Sequence, residues 1–397
     1  MANNKEKKVL NVPNSTDRGN VIRNVPALRF PEFTDEWKKE QLGDIADFSK
    51  GAGISKEQLS EKGEPCILYG ELYTKYKSEV IYDIISKTDI DSTKSVRSQA
   101  NDVIIPSSGE TAEDIATARC VLKNNILLGG DLNIIRLHKH SGSFMSYQLN
   151  GKRKYDIAKV AQGVSVVHLY AEHLKGVNTY NPCMEEQEKI ARLLSLLDER
   201  IATQNKIIED LKKLKSAISE RLFKSVKGST VLLSDLCDIV KGKQINGENL
   251  SDSGNYYVMN GGTEPSGYYD NYNVEASTIS ISEGGNSCGY VQFNTSPFWS
   301  GGHCYSIQNI ADKVDNMYLY HYLKSNEDAI MKLRIGSGLP NIQKKDLAMF
   351  KIIVPKIEWQ IKISIFLSSL ERKAEIEERI QNVMQKKKLY LLQQMFI

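Results

Sequence analysis

The pattern of apolar and polar positions divides the chain into two kinds of segment. Short runs rich in Ile, Val and Tyr lie between clusters of Gly, Asn and Ser. Examples are residues 133–137 (NIIRL), 277–282 (STISIS) and 290–293 (YVQF), and each predicts a strand. Residues 144–160 and 317–333 carry a helical period and predict one helix each. Two other stretches differ. From Ile190, a 4-3 spacing runs through Leu194, Leu197, Ile201, Gln204, Ile208, Leu211, Lys215, Ile218 and Leu222, and eight of the ten are apolar. That spacing predicts a coiled-coil seam. A second seam starts at Ile363, Leu367, Leu370 and Ala374. Glu377 and Gln381 then fall on it, while Ile376, Ile380 and Val383 carry the apolar stripe. A partial seam on a broader apolar face is expected there.

The two long helices are copies. PCMEEQEKIARLLSLLD (182–198) and PKIEWQIKISIFLSSLE (355–371) agree at eight of seventeen positions, at an offset of 173. The same offset matches residues 161–182 to 334–355. LGDIADFSKG (42–51) matches LSDLCDIVKG (233–242) at an offset of 191, so the first half is 18 residues longer in its middle. ILYG (67–70) and VMNG (258–261) also fall at equivalent places. A period this long means two domains rather than a solenoid. The expected class is α+β: two similar globules separated by two long antiparallel helices in a coiled-coil rod, with a pseudo-twofold internal repeat. The expected boundaries are a disordered polar tail (1–24), a first globule (25–182), a central helical region (183–228), a second globule (229–355) and a C-terminal helical region (356–397).

Composition excludes more than it assigns. There is no apolar run of about 18 residues and no signal-peptide pattern in the polar start, so a cytoplasmic protein with no membrane span is expected. The six cysteines are widely spaced and read as reduced thiols. No phosphate-binding GxxxxGK[ST], dinucleotide-type GxGxxG or HExxH pattern occurs, so catalytic and metal residues are expected to be absent. Residues 228–355 carry nine basic against thirteen acidic side chains, which counts against a simple basic footprint for nucleic acid.

What remains is a set of polar, aromatic and basic loops. Residues 68–78 interleave Tyr69, Tyr73 and Tyr76 with Lys75 and Lys77; residues 259–273 combine Asn260 and Tyr268 with glycines. Lys152, Arg153, Lys154 and Lys159 precede a Gly/Ser loop holding Gln162 and Ser165. Lys332 and Arg334 precede its counterpart, with Ser337 and Asn341, and Lys159 and Lys332 are equivalent in the repeat. A basic helix end leading into such a loop can hold phosphates through ammonium and backbone N–H groups. An ordinary exposed loop is the bland alternative for any one stretch; recurrence at one position in both halves favours the functional one.

These features converge on a known family. VPALRFPEFTDEWKKEQLGDI (25–45) resembles the opening of the specificity subunit of type I restriction–modification systems, and the doubled helix resembles that family's two conserved regions. The resemblance implies two target-recognition domains and a non-catalytic role. It implies binding to double-stranded DNA at a bipartite, asymmetric site and docking of two methyltransferase (modification) subunits. Restriction (translocase) subunits would join through the complex. S-adenosylmethionine, ATP and Mg would belong to those partners, with none in this chain. Ile190, Leu194, Leu197, Ile201, Leu367 and Leu370 would serve either the rod's own seam or subunit docking. Two alternatives differ in class: a two-headed protein-binding scaffold with a coiled-coil spacer, and a self-sufficient nuclease–methylase, whose cofactor motifs are missing.

Overall fold

The computed structural model of the protein describes residues 24–90, 95–163, 165–336 and 338–397. The tail expected over 1–24 therefore lies outside the described residues, apart from Asn24. The chain forms two compact units, one reaching to Asn205 and including Ile380–Ile397, the other Lys206–Arg379.

The main sheet of the first unit has the order Ala46–Lys50, Leu132–Leu137, Asp102–Pro106, Arg119–Val121, Val80–Ile81. Leu132–Leu137 and Asp102–Pro106 are the buried centre, as their near-continuous apolar runs require. A second five-stranded sheet carries Glu64–Ile67 in its middle. In the second unit the main sheet runs Asp238–Lys241, Cys304–Gln308, Thr278–Ser282, Val291–Asn294, beside a three-stranded sheet centred on Tyr256–Met259. The order of these four strands matches the first four of the other unit. Each unit is closed by the same two-stranded antiparallel ladder: Lys38–Gln41 on Asn178–Asn181, and Ser229–Leu232 on Lys351–Val354. Most of the extra length of the first half falls between Gly70 and Asp102, where Val80–Ile81 adds a fifth strand to the main sheet. The α+β class, the internal repeat and the paired long helices stand as expected.

Each of the two predicted head helices is in fact a pair. Gly142–Asn150 is followed by Lys154–Lys159, and Asn316–Ser325 by Glu327–Met331. The first break falls at Gly151, whose backbone crowds Tyr147 O and Leu392 O. The second falls at Asn326, which caps the preceding helix and returns its side-chain amide to Tyr322 O. Periodicity continues across both breaks, which is why the pattern hid them.

The central helix, Met184–Ser225, and the C-terminal helix, Ile357–Gln394, contribute to both units. In the first unit Ile190 and Leu194 share a cluster with Leu391, Leu392, Met395, Trp37 and Phe144, with Leu197 packed against it. In the second, Ile363 and Leu367 meet Phe223, Ile218, Leu222 and Leu370. Early residues of one helix meet late residues of the other, so the pairing is antiparallel in each unit. Ile201 is half-buried, in register with these. The C-terminal helix corrects the expectation of a drifting seam. Its 4-3 register persists through Glu377 and Gln381, which stay half-buried, while Ile376, Ile380 and Val383 are 49%, 39% and 64% exposed. Polar partners explain this: Gln381 bonds Asn205 in the first unit and Glu378 pairs with Lys212 in the second.

One triad occurs twice. In the first unit Tyr147 OH donates to Asp198 (2.7 Å), and Lys388 Nζ reaches the other oxygen of Asp198 (2.6 Å) and also Glu79. In the second, Tyr320 OH donates to Glu371 (3.2 Å), which Lys215 also holds (2.5 Å). All three positions repeat at the 173-residue offset. Each triad joins a head helix to both long helices; in the first, where Asp198 is buried, a one-residue slip would strand its charge, at a cost of about 3–5 kcal/mol. A second anchor ties the opening motif to the central helix. Arg29 grips Glu186 through two bonds of 2.7 Å, and Glu186 is fully buried. Glu186 is thus an ion-pair partner of the opening motif.

His321, one residue after Tyr320, is buried and bonds Ser368 Oγ (2.9 Å). Burial pushes its pKa down to about 4. The folded state thus binds fewer protons than the unfolded one between that value and about 6.5. The second unit should lose stability as pH falls from about 6.5 to about 4, by roughly 3 kcal/mol, and level off below. The first unit carries Gln148 at the equivalent position. Denaturant midpoints from pH 7 to 4 should therefore flatten in His321→Gln relative to the parent.

Candidate nucleic-acid interface

In each unit the strand ends form a row held by the same backbone bonds. In the first, Gly129 N–H donates to Ile67 O (2.9 Å), Ser107 N–H to Asp131 O (2.7 Å) and Leu169 N–H to Ser107 O (2.9 Å). The row ends on a hairpin in which Gln162 and His168 exchange both backbone bonds (2.9 and 2.7 Å). In the second unit Gly301 N–H donates to Met259 O (2.8 Å), Glu283 N–H to His303 O (2.9 Å) and Ile342 N–H to Glu283 O (2.8 Å). Its hairpin pairs Ile335 with Asn341 (2.8 and 3.0 Å).

The matched glycines after the first strand of each main sheet have a steric reason. A Cβ on Gly51 would stand 1.9 Å from Gly129 O, and one on Gly242 would stand 2.2 Å from Gly301 O. The hairpin tips need Gly163 (φ +126°) and Gly336 (φ +100°), in a region other residues rarely adopt.

The row brings several expected residues together. Tyr69 stands two residues after Ile67; in the second unit Asn260 stands directly after Met259, and its Oδ1 accepts His303 N–H (3.1 Å). Gln162 and Ser165 are exposed on one hairpin, and Arg334 and Asn341 beside or on the other; Ser337 lies outside the described residues. Lys159 and Lys332 are exposed at matching helix ends, Lys159 Nζ lying 4.5 Å over the Tyr155 ring. Tyr69 and Lys75 line a cavity of about 880 Å³ with residues 53–59, Gly130 and Asp131. Lys75 is also tied to Glu71 (2.6 Å) and Ser86 (3.1 Å). Tyr73 is half-buried, and burial raises its phenol pKa. Tyr268 belongs to the ladder with Tyr256–Met259 and bridges Ser251.

Other expected residues point elsewhere. Arg153 donates to Ile397 O (2.8 Å), pairs with Asp156 (3.0 Å) and lies 5.5 Å over the Tyr180 ring. Lys154 lines a smaller cavity with Glu79, Arg119 and Lys388. Both stand at the far end of their helix from the hairpin, on the side of the C-terminal residues. Lys152 is exposed beside them.

Three residues of the row were not singled out from sequence: Asp131, His303 and Glu283. Glu283 is buried; its Oε1 accepts from Lys241 Nζ (2.6 Å) and Tyr305 OH (3.1 Å). Its Oε2 has no hydrogen-bond partner and lies 3.6 Å from His303 Nδ1. The usable signal was the doubled Gly-Gly at 129–130 and 301–302, an offset of 172. Among the described residues, no cluster of His, Cys, Asp or Glu could hold a metal ion, and no helix is long and apolar enough to cross a membrane. All six cysteines are free.

The type I restriction modification DNA specificity domain matches the chain twice, over residues 34–213 and 227–386. The MjaVIII specificity subunit of a type I restriction enzyme from Methanocaldococcus jannaschii is 24% identical over 92% of this chain and 93% of its own. A putative type I specificity subunit of Mycoplasma genitalium is 34% identical, but the match spans 30% of this chain and 31% of that protein. A second, from Mycoplasma pneumoniae, is 32% identical over 36% and 38%. The fold is similar to the crystal structure of a type I restriction–modification S subunit from M. genitalium, with a TM-score of 0.68 and 19% identity over 94% of this chain and 99% of that one. The chain therefore belongs to the specificity-subunit family of type I restriction–modification systems. That family supplies the non-catalytic member of the enzyme.

The hairpins should differ in tolerance. A Cβ on Gly163 would fall 2.1 Å from Val166 O, whereas one on Gly336 would meet Leu339 O at 3.4 Å. Gly163→Ala should open its hairpin, speeding amide exchange at His168 by tenfold or more. Gly336→Ala should strain the backbone and change exchange at Asn341 by less.

Proposed function

We propose that this chain is the DNA-reading subunit of a type I restriction–modification complex. Each unit reads one part of a bipartite, asymmetric site in duplex DNA through its strand-end row and hairpin. The observation that carries this reading is the row itself. One backbone pattern, built twice, presents Asp131 in the first unit and His303 in the second. A constant scaffold with different polar side chains suits two half-sites of different sequence. Lys159 and Lys332 hold phosphates beside the hairpins. The acidic surplus of residues 228–355 is offset by partner subunits that supply further phosphate contacts.

The partners are two modification subunits, with restriction subunits joining through them. Those subunits carry S-adenosylmethionine, ATP and Mg, while this chain contributes no catalytic group. The repeated long helices supply the docking surface. Leu194 and Leu367 are fully buried, so the seam uses them. Their outward neighbours are free for partners: Leu193 and Leu196 are 36% and 50% exposed, and Ile365 and Phe366 are 66% and 45% exposed.

Three measurements test this. In the assembled complex, Lys159→Ala with Lys332→Ala should weaken DNA binding across sequences and lower the salt slope by about 2. An unchanged slope would remove both residues from the phosphate contacts. Leu193→Glu with Leu196→Glu should leave the fold intact and cut the bound modification subunits from two to one by native mass spectrometry. Retention of both would move docking to another surface. Retention on duplex DNA at rising salt separates the whole reading from a protein-binding scaffold.

A further inference from the structure

The two residues that follow the doubled glycines, Asp131 and His303, stand at the same point of the row with different chemistry. Both side chains are exposed. Their backbones are pinned: Asp131 O accepts Ser107 N–H, and His303 O accepts Glu283 N–H. His303 N–H is held by Asn260. The preceding glycines are hemmed in, with Gly129 3.2 Å from Ile67 O and Gly302 2.4 Å from Gln244 Oε1, measured from an ideal Cβ. Asp131 adopts φ +58°, a conformation Asp and Asn accept more readily than most residues. Neither side chain makes a contact that packing would require. Among the described residues, the polar approach of Asp131 is a long one to Ser107 Oγ (3.5 Å), and that of His303 is to Glu283.

We infer that Asp131 and His303 each read one base in their respective half-sites, and that Glu283 positions His303. A carboxylate only accepts, so Asp131 selects an exocyclic amine, cytosine N4 or adenine N6. For His303, the unpartnered Oε2 of Glu283 faces Nδ1 from the buried side. The carboxylate charge 3.6 Å away favours the tautomer with its proton on Nδ1, which leaves Nε2 outward as an acceptor, again for an amine. The first unit has Ser107 where the second has Glu283, so the two readers are held differently on one backbone.

This inference rests on the DNA-reading role proposed above, and the experiment separates the two. The chain is expressed with its modification partners, and the methylated motif is determined by sequencing. The purified complex is then titrated against duplexes in which each base pair of the motif is changed in turn. The parent complex must first prefer the cognate duplex over a scrambled one; if it does not, the DNA-reading role itself fails, and this inference with it. The variants are Asp131→Asn, which keeps size and backbone preference, and His303→Ala. Each should reduce discrimination by at least about fivefold at a single base pair, in opposite half-sites, with other positions unchanged. Glu283→Gln should relax the same position as His303→Ala. In the double variant it should add nothing, whereas a merely structural role would weaken binding to every duplex equally. The inference is overturned if the parent discriminates and the Asp131 and His303 variants keep its full base profile, or lose affinity uniformly.

Discussion

A carboxylate held between two helices sets the terms for each unit, buried in the first and half-buried in the second. Asp198 in one and Glu371 in the other would each be costly alone, since an ion taken out of water must be repaid by charge and hydrogen bonds close by. Each repayment comes from two directions: a tyrosine of the head helix and a lysine from the partner helix. Leucines on a seam slide past one another with little penalty, but a Tyr–carboxylate–Lys contact has one register. The heads, the closing ladders and the strand-end rows therefore take their positions from helices that cannot slip. The first unit invests more in this contact. Lys388 there serves a second buried carboxylate, Glu79, whose pKa burial raises against the pull of the lysine.

The strand-end rows use the opposite strategy. Their bonds are almost all backbone to backbone, so they are indifferent to side-chain identity. Gly51 and Gly242 stand where two backbones pass within contact distance. Exposed side chains are free to differ, as Asp131 and His303 do, and even the buried position beside them changes, from Ser107 to Glu283. Recognition can change by substitution without disturbing the frame that carries it.

Much of this frame could be read from the chain. The doubled helix, the central seam and the α+β class follow from periodicity and an internal match, because burial on one face leaves a regular trace. The matching places of Lys159 and Lys332 at exposed helix ends could be read from the repeat. The misses share a physical cause: they depend on partners distant in sequence. Nothing local to residues 376–383 says that Glu377 and Gln381, rather than Ile376 and Ile380, face the partner helix; the polar contacts decide it. Arg153 reads as a phosphate ligand until Ile397, 244 residues away, is seen to accept its hydrogen bond. Glu186 reads as a helix-start acid until Arg29 is seen beside it. Asp131 and His303 were hidden for another reason: single polar residues after glycines are common, and only the register of two Gly-Gly pairs marks them.

The last turn of the C-terminal helix has a genetic consequence. Leu391, Leu392, Met395 and Phe396 belong to the core of the first unit, where Phe396 packs against Trp37 and Phe144, and Leu28 N–H reaches Gln394 O. A frameshift or nonsense codon near position 390 would spare every residue of the second unit. It would instead unmake the half of the protein translated first, whose core stays incomplete until residues 391–396 have been made.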